Sequence, residues 1–187
     1  MADQIDREYD FERRYYIGKY HPYWLDKQNR IKNPQFDNYC AKILDLKRGE
    51  EHAINFFYDK LKVLLKGVFC ICVVPSHDPE KTISGIRLLA QKLADSSNDI
   101  TDCTGCVIRK FKIPKLSAGG NRNSLLQYMS IEIRDVDEIH GKTVVLLDDV
   151  MTTGNSMKAG MDRILEAGAV KVLCFALAQT FSDADGK

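Results

Sequence analysis

The stretch from Val144 to Ser156 constrains the fold of this chain more than any other part of its sequence. It reads Val-Val-Leu-Leu-Asp-Asp-Val-Met-Thr-Thr-Gly-Asn-Ser, so four apolar residues lead into two adjacent acids and then into a short turn rich in hydroxyls. A segment with helical spacing follows over residues 155–167. Consecutive apolar residues of this kind are typical of a strand that is buried on both faces. The order strand, turn, helix therefore predicts one unit of an α/β fold.

This unit would bring two kinds of polar group to one place. Asp148 and Asp149 would lie at the carboxyl end of the strand, where paired carboxylates suit sugar hydroxyls or a hydrated metal ion. The turn would place backbone N–H groups and hydroxyls at a helix N-terminus, which favours a phosphate. A ligand with a ribose and a 5′-phosphate would satisfy both. The alternative is an ordinary strand–turn–helix unit, which would leave the repulsion between the two acids unexplained.

The segment resembles the 5-phosphoribosyl-1-pyrophosphate (PRPP) motif of type I phosphoribosyltransferases, in which four apolar residues, two acids and one apolar residue precede a loop close to x-Thr-Thr-Gly-x-Ser/Thr. Taken loosely, the resemblance covers residues 68–178, and the spacing of Arg109, Arg122 and Gln127 is most similar to the competence-type (ComF-like) branch. It implies a doubly wound, mainly parallel sheet with helices on both faces. It also implies transfer of the 5-phosphoribosyl group from PRPP, bound with Mg²⁺, to a nitrogenous base or related acceptor, with release of pyrophosphate.

The resemblance also gives roles to individual residues. Asp148 and Asp149 would hold the ribose 2′ and 3′ hydroxyls and would contact Mg²⁺ only through PRPP oxygens or water. Arg109 would join them as a catalytic residue that stabilises the leaving pyrophosphate. The 5′-phosphate would lie on the loop formed by Val150, Thr152, Thr153, Gly154, Asn155 and Ser156. Further contacts with PRPP would come from Ser76, His77, Lys110, Lys112 and Arg122.

Some of these assignments have plainer alternatives. The loop over residues 75–79 is either a pyrophosphate contact or a helix-initiating turn capped by Asp78, and both interpretations can hold. Arg109 and Lys110 would otherwise be a solvated strand end. Thr152 departs from hypoxanthine–guanine relatives, in which an aspartate at this position acts on the purine N7, so an orotate-type or competence-type motif fits better.

Hydrophobic periodicity predicts strands that alternate with helices. Helices are expected over residues 37–47, 51–66, 82–95 and 155–167, and strands over 68–74, 106–111, 130–134, 143–148 and 170–178. Nearly all-apolar strands in this order favour a parallel sheet whose ligand lies at the carboxyl ends. The connector over residues 112–130, with Lys115 and Gly119-Gly120, would be a flexible loop that closes over the site.

Residues 1–67 carry no recognised motif and precede the PRPP-binding core of residues 68–187. Seven aromatic residues crowd the stretch 9–24. Such density favours packing on a neighbouring surface, and the alternative is a ring that stacks on a nucleobase. We predict that residues 1–67 form a helical, aromatic hood that recognises the acceptor.

Composition and charge narrow the class of protein. The chain has 187 residues, 44% of them hydrophobic and 28% charged, which suits a globular domain with a small appendage. Its formal net charge of +1 gives no support for a general nucleic-acid or membrane surface. The longest apolar run, over residues 68–74, is too short to span a bilayer. A cytoplasmic location is expected, because the first thirty residues lack the apolar core of a signal peptide.

The six cysteines are open to several interpretations. Cys70 and Cys72 alternate in a predicted buried strand and are expected to be core residues. Cys103 and Cys106 have the spacing of half a zinc site or of a redox pair. Because the sequence has no second C-x-x-C, reduced structural cysteines are favoured.

Two other functions remain compatible with the sequence. One is a PRPP-binding regulator without catalysis, or a protein associated with competence and DNA processing, which the resemblance to that branch implies. The other is an interaction protein with a vestigial pocket, which the intact motif disfavours. The expected partners are PRPP and a nucleobase-like acceptor, without a membrane or a strong nucleic-acid signal, and a homodimer is compatible with the sequence.

Overall fold

The computed structural model describes residues 14–114 and 124–181. The described strands are β1 (Arg14–Tyr20), β2 (Trp24–Asp26), β3 (Ile31–Lys32), β4 (Phe69–Val73), β5 (Ile100–Asp102), β6 (Val107–Arg109), β7 (Ile131–Ile133), β8 (Thr143–Met151) and β9 (Lys171–Thr180). The helices are α1 (Asn38–Arg48), α2 (Glu51–Leu64), α3 (Gly85–Asp95), α4 (Ser124–Ser130) and α5 (Asn155–Glu166), with a short 3-10 helix at Val136–Glu138.

The centre of the molecule is a five-stranded parallel sheet in the order β1-β9-β8-β4-β5. All residues of β4 are buried, and so are Val144–Leu147 of β8, because both strands are covered on two faces. Since the strands are parallel, their carboxyl ends meet at one edge of the sheet. This arrangement confirms the predicted doubly wound α/β fold.

Two hydrophobic clusters cover the two faces. On one face, α1, α2 and α3 pack with Ile71 and Leu147 in the first cluster. On the other face, α5 and the β6–β7 ribbon pack with Cys72 and Leu146 in the second. Neighbouring residues of β4 and β8 thus belong to opposite clusters, as the two-residue period of a strand requires.

The N-terminal segment is integrated into this core. β1 pairs in parallel with β9, and the ring of Tyr15 stacks on Phe175 with centroids 5.6 Å apart. The sequence did not predict β1, because its aromatic and charged residues are all partly or fully exposed and lack the apolar run of the central strands. α1 and α2 match the predicted helices over 37–47 and 51–66 closely. The role of this segment as an acceptor hood stays a prediction.

The structure corrects three predicted elements. The strand expected over 106–111 is β6, which pairs antiparallel with β7 and lies outside the main sheet. The edge strand beside β4 is instead β5, a short polar strand without an apolar run that the sequence did not predict. The connector expected over 112–130 is wrong in its last part, where α4 forms. Lys115, Gly119, Gly120 and Arg122 lie outside the described residues.

No helix in the described part of the chain combines the length and apolar character that crossing a membrane requires.

The start of α3 depends on a glycine. The side chain of Ser84 caps the helix by accepting a hydrogen bond from the Arg87 N–H, so the helix begins at Gly85 and not at residue 82. A Cβ at Gly85 would lie 1.7 Å from the carbonyl oxygen of Leu46 in α1. The two helices can approach this closely only because Gly85 has no side chain.

We expect Gly85→Ala to lower the free energy of unfolding by roughly 2 kcal/mol or more, because α1 and α3 must separate to admit the methyl group. Chemical denaturation measures this loss. Gly105→Ala is the matched control, since a Cβ there would meet no atom within 4 Å. Equal stability of the two variants would show that the helix contact is not tight.

Candidate functional site

A cavity of about 720 Å³ lies at the carboxyl edge of the sheet. Four parallel strands end at it, in the spatial order β4, β8, β9 and β1. The loop after β4 contributes Ser76 to its wall, and the end of β8 contributes Asp148. The ends of β9 and β1 contribute Thr180 and Tyr20. The helices α1 and α4 contribute Lys47 and Gln127. The predicted convergence of separate loops at this edge is therefore present in the structure.

The two adjacent acids lie within β8, because that strand extends to Met151 instead of ending at residue 148. Both acids line the cavity and both are partly buried. The Asp149 N–H donates a hydrogen bond of 2.8 Å to Asp148 Oδ1. The ammonium group of Lys47, which comes from the last turn of α1, lies 3.1 Å from Asp149 Oδ1. The acids are thus held by one backbone donor and one cation.

The two acids differ in their electrostatic surroundings. Burial raises the pKa of Asp148, and the neighbouring charge of Asp149 raises it further, while Lys47, the Asp149 N–H and Arg109 offset part of the increase. For Lys47, burial is the largest influence and acts to lower the pKa, but the charge and hydrogen bond of Asp149 together with the charges of Asp148 and Tyr20 outweigh it, so the pKa is raised. Asp148 is therefore an acid that retains its proton to higher pH than an exposed aspartate.

This raised pKa has a consequence for stability. Between the unfolded and folded pKa values of Asp148, the folded protein binds more protons than the unfolded chain, so stability falls as pH rises through that window. We expect Asp148→Asn to remove this decline, and to leave the variant more stable than the parent at pH 8 by on the order of 1 kcal/mol. Urea denaturation of both proteins at pH 5 and pH 8 measures the effect, and a parallel pH dependence of the two would contradict it.

The turn after β8 forms the second part of the site. Gly154 adopts φ 77° and is the N-cap of α5, a conformation that favours glycine and places no capping side chain over the helix N-terminus. Val150, Thr152, Thr153 and Ser156 line the cavity. Gly154 and Asn155 are the N-cap and the first residue of α5, and neither of them lines the cavity. The positive end of the α5 dipole thus meets a set of hydroxyls, which together suit a phosphate.

The third part of the site is a hydrogen-bond network around Arg109, which we call the hub. Arg109 is 5% exposed, and its guanidinium donates to the carbonyl oxygens of Pro75 at 3.1 Å and Ser76 at 3.0 Å. It also donates to Ser130 Oγ at 2.6 Å and to Gln127 Oε1 at 3.2 Å. Burial lowers the pKa of Arg109 to about 10, although Asp148 partly offsets this, so the guanidinium stays charged at neutral pH. It is buried and bonded in the structure, not the solvated strand end that was its alternative.

Gln127 links this hub to the turn after β8. Its Oε1 accepts hydrogen bonds from Arg109 and also from Ser156 Oγ at 3.0 Å. Gln127 is 1% exposed and comes from α4, the helix that the sequence did not predict. The loop after β4, the ribbon β6–β7 and the N-terminus of α5 are therefore connected through two buried side chains.

The loop after β4 places Ser76 and His77 in the cavity wall. Ser76 Oγ lies 3.4 Å from His77 Nδ1 and accepts from the Asp78 N–H at 3.3 Å. The alternative in which Asp78 caps the following helix is wrong, because Ser84 is the cap of α3. Asp78 instead pairs with Lys112 at 2.6 Å. Lys112 and the exposed Lys110 do not line the cavity of this structure.

Several wall residues were not predicted as site residues. Tyr20, Pro22, Lys47, Lys81 and Thr180 belong to elements that are distant in the sequence from the acid pair. The only sequence pattern that included one of them is the aromatic crowding of residues 9–24, which contains Tyr20 but gives it no specific role. The sequence indicated Gln127 only by its spacing from Arg109 and gave it no role.

The model of the phosphoribosyl transferase domain family matches residues 86–185, which is more than half of the chain. The chain belongs to this family. The match includes the acid pair, the turn after β8 and Arg109, whereas Lys47 and Tyr20 lie upstream of it. Among proteins of curated function, none matches the chain.

Two solved structures of a hypoxanthine phosphoribosyltransferase from Staphylococcus aureus are similar to this phosphoribosyltransferase-family protein. The orthorhombic form has 14% sequence identity to this chain and a TM-score of 0.39. The alignment covers 75% of this chain and 69% of that structure's chain. The tetragonal form is 12% identical, covers 75% of both chains, and gives the same TM-score of 0.39. Likeness at this level carries no argument about the acceptor.

The donor set of this family member fits a metal ion that is held mainly by a ligand. Over residues 14–114 and 124–181, no group of three or more His, Cys, Asp or Glu side chains is arranged to hold a metal. The site offers two carboxylates, and one of them already binds Lys47. Mg²⁺ usually keeps several waters and binds phosphate oxygens of the substrate, so an ion that meets these acids through water and the ligand fits the site.

The cysteine pair singled out in the sequence lies away from the cavity. Cys103 and Cys106 are buried in the second cluster beside Cys70 and Cys72. The hydrogen bond with Cys103 raises the pKa of Cys106, and burial raises it further. Since a thiolate is the form that binds metals or reacts, this environment favours a structural role for the pair.

Proposed function

We propose that this protein binds PRPP together with Mg²⁺ and transfers the 5-phosphoribosyl group to a ring nitrogen of a nucleobase-like acceptor, with release of pyrophosphate. The observation that most supports this function is that the acid pair, the turn at the N-terminus of α5 and the loop held by Arg109 all line one cavity. Each of these parts suits one portion of PRPP.

The order of the strands suggests how PRPP lies in the cavity. The 5′-phosphate would bind the turn at Thr152–Ser156, and the ribose hydroxyls would donate to Asp148 and Asp149. The pyrophosphate would then extend toward the loop after β4, which neighbours β8 on one side. An acceptor that attacks in line must approach from the opposite side, where Tyr20, Pro22 and Thr180 lie at the ends of β1 and β9. This placement is consistent with the predicted hood.

Arg109 would act by shaping the pyrophosphate loop. Its guanidinium binds the carbonyl oxygens of Pro75 and Ser76. Because a trans peptide points its N–H opposite to its C=O, the amide groups that follow these carbonyls are directed away from Arg109. We propose that this loop binds pyrophosphate oxygens through its amides and the Ser76 hydroxyl. Arg109 itself would add positive charge near the leaving group.

The remaining contribution of the protein is to position the reactants and to exclude water. Holding donor and acceptor in line converts a bimolecular step into an effectively unimolecular one. Mg²⁺, when bound with PRPP, neutralises charge that develops on pyrophosphate. Because Thr152 stands where an aspartate acts in hypoxanthine–guanine relatives, we propose an acceptor other than a 6-oxopurine. Membership of the competence-type branch and a cytoplasmic location are part of the same proposal.

Two measurements test this function. PRPP with Mg²⁺ should raise the melting temperature of the protein, and a screen of bases should find one that supports PRPP-dependent release of pyrophosphate. A shift in melting temperature without pyrophosphate release from any base would favour a PRPP-binding regulator. The absence of a shift at saturating PRPP would reject the proposed site.

A further inference from the structure

Lys47 occupies a position in the cavity that the family motif does not explain. It lies in the last turn of α1, where a cation is favoured by the helix dipole, and its ammonium group is 3.1 Å from Asp149 Oδ1. The same ammonium lies 6.0 Å from the centre of the Tyr20 ring. The side chains of Lys47 and Asp149 are 41% and 26% exposed, so the pair is partly shielded from water. The N-terminal segment thus supplies a cation to the acid pair of the core.

Two cations act on the acid pair. Lys47 contacts Asp149, and the charges of Lys47 and Arg109 both act on Asp148. A divalent ion that approached the acid pair directly would have to displace the ammonium from Asp149 Oδ1 or accept its repulsion at short range. Asp148 Oδ1 is also engaged, because it accepts a hydrogen bond from the Asp149 N–H. One oxygen of each acid is therefore already engaged, that of Asp149 by a cation.

We infer that Lys47 is the built-in counter-ion of the acid pair and that it excludes free divalent metal from Asp149, so that Mg²⁺ enters the site only on the oxygens of the ligand. The identity of that ligand rests on the proposed function, but the exclusion itself does not. A carboxylate has several acceptor positions, so Asp149 can bind Lys47 and still accept a hydrogen bond from a sugar hydroxyl. Lys47 is accordingly a positioning residue and not a catalytic one.

The test uses Mn²⁺ alone, because carboxylate sites that accept Mg²⁺ also accept Mn²⁺ and bound Mn²⁺ loses its free-ion electron paramagnetic resonance signal. At pH 8 and without any ligand, Lys47→Met and Lys47→Gln should bind one Mn²⁺ at least tenfold more tightly than the parent protein. Adding Asp149→Asn to Lys47→Met should abolish the gain. Circular dichroism confirms that each variant is folded.

The matched control is Lys62→Met. Lys62 also pairs with an acid, Asp59, at 2.6 Å, but on the exposed surface of α2 and outside the cavity. This variant should bind Mn²⁺ no better than the parent protein. If Lys47→Met and Lys47→Gln gained no Mn²⁺ affinity, or if the gain survived Asp149→Asn, the inference would be wrong. Since no PRPP is present, this failure is distinct from a failure of the proposed function, which the melting-temperature shift with PRPP reports.

Discussion

Replacing both acids of the pair, Asp148→Asn together with Asp149→Asn, is expected to weaken binding of PRPP with Mg²⁺ by about a hundredfold. The asparagine side chain keeps the size of aspartate and one acceptor oxygen, but it cannot carry a negative charge. A hydrogen bond to a charged group contributes roughly 1.5–3 kcal/mol and one between neutral groups roughly 0.5–1.5 kcal/mol, so replacing two charged acceptors by neutral ones should weaken binding by about a hundredfold. Isothermal titration calorimetry with PRPP and Mg²⁺ measures the affinity directly.

The same double variant should remain folded. Asp148 carries a cost of burial in its charged form, and its replacement removes this cost. Asp162→Asn is the matched control, because Asp162 pairs with Lys158 along α5 and does not line the cavity. Asp162→Asn should bind PRPP as the parent protein does. Unchanged PRPP affinity in the double variant would show that Asp148 and Asp149 do not bind the ribose hydroxyls.

Replacing Arg109 should cause the largest combined loss of stability and activity. Arg109→Met leaves the carbonyl oxygens of Pro75 and Ser76 without their side-chain donor and breaks the link to Gln127. Buried polar groups that lose their partner cost about 1–3 kcal/mol each, so we expect the free energy of unfolding to fall by roughly 3 kcal/mol. PRPP-dependent pyrophosphate release should fall by about a hundredfold or more, as when a single preorganised donor is removed.

A second substitution at Arg109 tests whether its charge alone is sufficient, and a substitution at Arg163 serves as the control. Arg109→Lys keeps the charge, but a single ammonium cannot reproduce the fork that spans both carbonyls, so activity should stay low. Arg163→Met is the matched control, since Arg163 also donates to a backbone carbonyl, that of Ile131 at 3.2 Å, but lies outside the cavity wall. It should reduce stability less and leave PRPP affinity unchanged. Full activity in Arg109→Lys would show that only charge is needed.

The elements that the sequence predicted well are those with a strong local pattern. The apolar runs of β4 and β8 and the apolar faces of α1 and α2 appear where periodicity placed them. The elements that it missed have weak local patterns, because β1 is aromatic and half exposed and β5 is polar. Their pairing with the sheet is determined by neighbouring strands and not by their own residues.

The same division applies to the site. The acid pair and the turn after β8 could be predicted to lie together from the sequence, because strand, acids, turn and helix are contiguous and chain geometry alone brings them together. Lys47 and Gln127 could not be assigned in this way, since their contacts with Asp149 and Arg109 depend on how distant elements pack around the sheet. The sequence by itself determined which chemical groups line the edge of β8. The tertiary structure decided which cation balances the acids and which buried arginine holds the neighbouring loop, because charge balance and hydrogen bonding depend on distances in space.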